Sequence, residues 1–239
     1  MTTATSARPS QEGERQLRCD LAAVFRVAAR FDWCGAMGDD HISAMLPDGR
    51  RFLANPPGLL FREITASALV GHDLDGGALP VHARLHRARA SAACVLRVQP
   101  RYLTALAITA GGRMALAHHN NLRLNDRVVY DEDQAEPTDT PAEGARLVQA
   151  LGEKSILLTA HRGVTVVGAS VHEAFGECAT AEHTTKFQLT AQTARHGVHL
   201  LPERGRLGYT GPWGKYSDAR MLLDAWRRVL DQEEPDYAT

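Results

Sequence analysis

Arg97 and Gln99 stand two residues apart in ACVLRVQPRY, residues 93–102, a stretch otherwise composed like a buried strand. In an extended chain residues i and i+2 share a face, so the guanidinium and the amide look one way while Leu96 and Val98 look the other. A permanently charged fork beside an amide suits a carboxylate or enolate, held by charge-assisted hydrogen bonds. A second arginine, Arg162, follows His161 in ILLTAHRGVTVVG, which reads as two short core strands joined by a tight turn at Gly163. Adjacent residues on a strand face opposite sides, so His161 and Arg162 compete for one orientation unless a bulge or turn re-aims the chain.

Histidines supply the proton-transfer candidates, because imidazole titrates near neutrality. His82 and His86 are spaced i, i+4 after Pro80 and share a helix face, a spacing found in metal ligands and equally in surface or capping histidines. His118-His119 beside Asn120-Asn121 reads as a solvated turn. Glu182, next to His183 within a helical stretch, reads as a structural partner for Arg162 or Arg97. Tyr209 and Tyr216 lie in GRLGYTGPWGKYSDA, a lid or interface loop able to reach a neighbouring subunit's site. The cysteines at 19, 34, 94 and 178 form no C-x-x-C pair, which argues against a zinc ribbon or a redox dithiol.

The elements that must position these residues follow from periodicity and punctuation. Residues 1–13 read as a disordered leader and 14–239 as one domain. Leu17, Leu21, Val24, Phe25 and Ala28 recur at helical spacing over 14–31. ISAML, the turn Pro47-Asp48-Gly49 and RRFLAN predict a hairpin, and Thr65 caps a short turn ending before Gly71. A helix follows Pro80, then the Arg97 strand, then a further strand over Leu103–Ile108. The stretch DEDQAEPTDTPAEG reads as a mobile surface connection. Helices are expected over Pro141–Leu151, Val171–Ala194 and DARMLLDAWRRVLDQ. This order favours an α/β fold, three-layer α/β/α, with a mostly antiparallel central sheet.

Composition narrows the function. A formal net charge of −1 leaves no basic excess for nucleic acid, and no apolar run reaches the ~20 residues that span a bilayer. The N-terminal segment lacks the apolar core of a secretory signal, so a cytoplasmic protein is expected.

Segments LRCDLAAVFRVAARFDW, DDHISAMLPDGRRFLANPPGLLFREITASALVGHDLDG, PVHARLHRAR, GVTVVGASVHEAFGECATAEHTTKFQL and LLDAWRRVLDQEEPDY resemble, in order, the class II aldolase/adducin family. The resemblance covers roughly residues 15–237 and implies an α/β/α fold and a homotetramer with sites at subunit interfaces. It also implies a divalent metal on an H-x-H pair and a third histidine in an N-H-G motif, polarising a carbonyl for aldol cleavage, epimerisation, dehydration or decarboxylation. Aligned through Tyr102 and TALA, the H-x-H positions are Arg97 and Gln99. A gapless alignment through LLTA and GVTVVG puts the third ligand at Arg162, whereas one inserted residue puts it at His161. The family's Asn-x-Ser element reads Asp40-His41-Ile42-Ser43, and its following Arg is Met45. The family's acid/base glutamate falls on Ala78, and its phosphate-binding Ser/Thr loops are Pro57-Gly58 and Gly76-Gly77, which argues against a phosphorylated sugar. His82 matches a histidine at the head of the same helix.

The expectation is therefore a protein without a bound metal or other cofactor that acts on a small anionic carbonyl compound. Arg97 and Arg162 would hold the anion, Gln99, Tyr209 and Tyr216 would contact the substrate, and His82 or His161 would move the proton. A remnant site, its arginines paired with nearby carboxylates in a non-catalytic adducin-like module, is the other reading. A third, a metal enzyme using His82, His86 and His118 or His119, needs ligands from distant segments.

Overall fold

The structure, a computed structural model, describes residues 7–35, 40–133, 139–194, 197–203 and 217–239. Helix α1 runs Ala7–Arg30, so its start lies within the segment read as a leader. It buries Leu21, Val24, Phe25 and Ala28, the stripe that its periodicity predicts, and Leu17 packs at the edge. Each such side chain contributes roughly 1.5–3 kcal/mol on full burial.

Seven strands form one sheet in the order β3-β2-β1-β4-β7-β6-β5. They are β1 His41–Met45, β2 Arg51–Ala54, β3 Val70–Asp73, β4 Cys94–Val98, β5 Val128–Asp131, β6 Ile156–Thr159 and β7 Gly163–Gly168. All neighbours pair antiparallel except β5 with β6. The expected β1–β2 hairpin and the β6–β7 pair are both present. Thr65 Oγ1 accepts from Ala68 N at 3.2 Å, the cap that its position suggested.

Helices α2 Pro80–Ala88 and α4 Pro141–Leu151 cover one face, where Val81, Leu85, Leu147 and Leu151 pack on Val95, Leu157 and Val167. Alternation along the strands sends Leu96, Val98, Ile156, Leu158, Val164 and Val166 to the opposite face, into the main core with α1 and α5 Val171–Gln192. Helix α6, Ser217–Glu233, packs against α1 and α5. The fold is thus a mixed α/β three-layer arrangement on a mostly antiparallel sheet.

Three segments differ from expectation. Leu103–Ile108, expected as a strand, belongs to helix α3, Arg101–Ala107. Pro100 ends the strand, and both oxygens of Glu182 accept from the first free amides of the new helix, Tyr102 N and Leu103 N, each at 2.9 Å. Strands β3 and β5 had not been anticipated: β3 is largely exposed, and β5 hides its pattern between polar stretches. Within the segment read as a mobile connection, Asp139 is anchored, its Oδ1 accepting from Val81 N at 3.0 Å at the start of α2.

Candidate functional site

The β-sheet register places the charged residue of β4 between two polar neighbours. Arg97 lies opposite His41 on β1 and opposite Thr165 on β7. The chain leaves β4 after Val98, Gln99 N donates to Trp33 O at 2.8 Å, and the Gln99 side chain stays on the Arg97 side. The β6–β7 turn, Ala160-His161-Arg162, closes on Gly163. Gly163 has φ +126°, and a Cβ there would meet Val98 O at 2.7 Å. Only glycine lets the hairpin press this close to the end of β4.

These elements, with Leu147 of α4, enclose a cavity of about 30 Å³ whose polar lining is Asp40, Arg97, Gln99, Thr159, Arg162 and Thr165. On that measure a single water needs roughly 10–15 Å³, so the space admits a group about the size of a carboxylate. Arg162 reaches it; His161, in left-handed conformation at φ 63°, is exposed in the turn and absent from the lining. Tyr209 and Tyr216 lie outside the described residues.

The charges here are unevenly matched. Arg97 has only 11% of its side chain exposed, and its carboxylate partner, Asp139, is 3.6 Å away. Burial and the neighbouring Arg162 push the Arg97 pKa down, against the pull of Asp139, Glu143 and Asp40. Among the described residues no carboxylate lies within ion-pair distance of the Arg162 guanidinium. Asp40 is engaged, accepting from Gly35 N and, at 3.2 Å, from Gln99 Nε2. Glu143 is turned to Arg146, which it holds through two hydrogen bonds of 2.8 and 2.9 Å. Glu182 caps α3 and pairs with neither Arg97 nor Arg162, correcting the expected partnership.

Next to Arg97 lies a buried histidine group. His82, fully buried on α2, has Nδ1 2.6 Å from Ser43 Oγ, and the same hydroxyl is 2.8 Å from Nε2 of His86. His86 Nδ1 donates to Ala92 O at 2.6 Å. His82 Nε2 has no hydrogen-bond partner among the described residues. The rings of His41 and His82 meet edge to face at 6.0 Å, and His41 pairs with Arg97 across the sheet; His82 itself lies behind this row and does not line the cavity. Burial first, then Arg97, His86, His41 and His72, hold the His82 pKa well below its usual value; burial lowers His86 to about 4. His118 caps a 3-10 turn, its Nδ1 accepting from Asn120 N at 3.2 Å.

The divalent metal that the resemblance implies does not fit this donor set. The cavity offers one carboxylate, Asp40, already engaged by Gly35 N and Gln99 Nε2, against two guanidiniums, which have no lone pair to offer and repel a cation. Among the described residues no three His, Cys, Asp or Glu side chains group as metal ligands. The cavity thus presents hydrogen-bond donors from Arg97, Arg162 and Gln99 and one carboxylate from Asp40. The sequence pointed to Arg97, Gln99 and Arg162, which the fold brings together, and missed Asp40, Asp139, Thr159 and Thr165. Strand pairing selects Thr159 and Thr165, and the chain just before β1 and before α4 brings in Asp40 and Asp139; single-strand periodicity carries no trace of either.

Residues 19–189 match the family described as Class II Aldolase and Adducin N-terminal domain. A Caulobacter vibrioides protein that carries an aldolase class 2 name is 30% identical, over 95% of this chain and 93% of its own. Human beta-adducin is 25% identical over 80% of this chain and 28% of its own length. The crystal structure of an aldolase II superfamily protein from Pseudomonas syringae superposes with TM-score 0.84 at 28% identity, over 95% of this chain and 96% of that one. An L-fuculose 1-phosphate aldolase from Glaciozyma antarctica shares the fold at TM-score 0.79 and 17% identity, covering 98% and 96%. With its seven-stranded sheet, helices on both faces and a family match across most of its length, the chain belongs to the class II aldolase and adducin family.

Proposed function

We propose that the protein is a lyase-type enzyme that works without a bound divalent metal on a small anionic carbonyl compound. The observation that carries this is the meeting of Arg97, Gln99 and Arg162 on one cavity in which Arg162 has no carboxylate of its own among the described residues. Two guanidiniums side by side repel, and an anion between them removes that cost. At the place of a Lewis acid the pair would stabilise a developing enolate or carboxylate, with Gln99 adding an amide donor. His82 would move the proton, since His161 faces solvent. Carbon–carbon cleavage, decarboxylation, dehydration or cyclisation all pass through such charge. A homo-oligomer, a tetramer on the family resemblance, is part of the proposal.

The test is calorimetric binding and thermal shift with pyruvate, lactate and malonate, on wild type, Arg97→Ala and Arg162→Ala. Each substitution removes charge-assisted bonds worth about 1.5–3 kcal/mol, a roughly 10- to 100-fold loss of affinity, while light scattering reports unchanged assembly. Elemental analysis after incubation with zinc, manganese or ferrous iron should find less than about a tenth of an equivalent per chain, because Asp40 is the one His, Cys, Asp or Glu side chain lining the cavity among the described residues and two guanidiniums stand beside it. Stoichiometric tightly held metal would overturn the proposal.

A second reading is favoured by the tightness of the cavity and the likeness to beta-adducin: a binding module that kept the scaffold without turnover. No response to any carboxylate, with tight binding to a protein partner, would select it.

A further inference from the structure

We infer that a relay from the Ala92 carbonyl through His86 and Ser43 holds His82 as one tautomer, its proton on Nδ1 and its Nε2 lone pair bare, so that the ring serves an anion held at Arg97 as an acceptor and never as an acid. The last clause rests on the anion reading above; the tautomer does not.

The assignment follows from counting donors. A carbonyl only accepts, so His86 must carry its proton on Nδ1 to meet Ala92 O at 2.6 Å. A neutral His86 then has a bare Nε2, and the Ser43 hydroxyl, 2.8 Å away, must donate to it. Ser43 has a single hydrogen. Its contact with His82 Nδ1 at 2.6 Å is therefore one in which Ser43 accepts and His82 donates. Nε2 of His82 is left without a proton and, among the described residues, without a partner. A buried acceptor left unpaired costs about 1–3 kcal/mol, a cost that a ligand's donor would remove.

The groups facing His82 fix its charge. His86 lies on its own helix, His41 comes from β1, His72 from β3 and Arg97 from β4, and each of them disfavours an imidazolium. On α4, packed against α2, Glu143 is neutralised by Arg146. An anion bound at Arg97 reverses the local field and raises the basicity of Nε2. The base thus becomes competent when the anion arrives. Ser43 and His86 are positioning residues in this scheme, acting only through His82.

The test uses the full chain with histidines 15N-labelled, read by multiple-bond 1H–15N correlation from pH 5.5 to 8, with His82→Gln identifying the His82 resonances. Wild type should show a pyrrole-like Nδ1 and a pyridine-like Nε2 throughout. Ser43→Ala should mix the two tautomers, and Ser43→Thr should restore one. A protonated Nε2, titration of His82 within that range, or an unchanged tautomer in Ser43→Ala would overturn the relay. The wild-type spectrum decides even where a variant misfolds. Lactate, whose hydroxyl can donate, should shift the Nε2 resonance in wild type and not in Arg97→Ala. Lactate that binds and leaves Nε2 unmoved would overturn the ligand role alone. Absence of carboxylate binding would overturn the anion pocket and with it that role, while the tautomer stands or falls on the unliganded spectrum.

Discussion

At the scale of single residues, Arg162 separates charge from geometry. Arg162→Lys keeps the positive charge and loses the planar fork, so carboxylate affinity should fall to between those of wild type and Arg162→Ala. Equal affinity in the lysine and arginine forms, measured by calorimetry, would mean that only charge matters. Gly35 offers an independent check, since a Cβ there would come within 2.4 Å of Gln99 Nε2. Gly35→Ala should swing that amide off Asp40 and weaken carboxylate binding by roughly 2- to 10-fold, the worth of one neutral hydrogen bond. Arg97 and Gln99 were legible in the sequence because alternation along one strand is a local property. The choice of Arg162 over His161 was not, because it depends on how three turn residues are wound. Glu182 misled for a related reason: its partners are backbone amides, which every residue carries and no sequence displays.

At the scale of elements, helix α4 is fastened to the sheet by Arg146, which links Glu143 on its own helix to Asp131 on β5 at 2.7 Å. Arg146 holds the Glu143 carboxyl below its usual 4.5, with burial opposing. A carboxyl whose folded pKa is depressed adds stability that is complete above the unfolded value and lost as pH falls through the folded one. Glu143→Gln should therefore cost about 1–2 kcal/mol at pH 7 in urea unfolding, and the difference from wild type should shrink below pH 4.5. A constant difference down to pH 3 would assign the loss to packing. Helices α1 and α6 could be read from their 3.6-residue periodicity, α4 from the proline at its start and the glycine at its end, and α5 from its proline-free length. The seven-residue α3 could not, because a run that short has no period and its helix is nucleated by Glu182 from another element.

At the scale of the whole molecule, the two faces of the sheet do different work: the α1–α5 side carries the main core, and the α2–α4 side carries the polar row. The cysteines all belong to the main-core side and report on its depth. Cys94 and Cys178 are fully buried with thiols pushed strongly up by burial, whereas Cys19 and Cys34 are half-buried. Thiol titration should find only Cys19 and Cys34 reactive in the native protein, and all four after denaturation. Fast reaction of Cys94 would mean that the sheet opens. The layered α/β order was legible in the sequence; the parallel β5–β6 edge was not, since β5 joins beside a strand made later in the chain.

The turn Ala160-His161-Arg162 also bears on descent. His161 and Arg162 are neighbours in the reading frame, and Gly163 follows as the fixed point of close approach. Loss of one codon, that for Arg162, would set His161 directly before Gly163 and offer the cavity an imidazole in place of a guanidinium. Arg97 and Gln99 would remain, so this single in-frame deletion would halve the guanidinium charge of the cavity without by itself building a cation site.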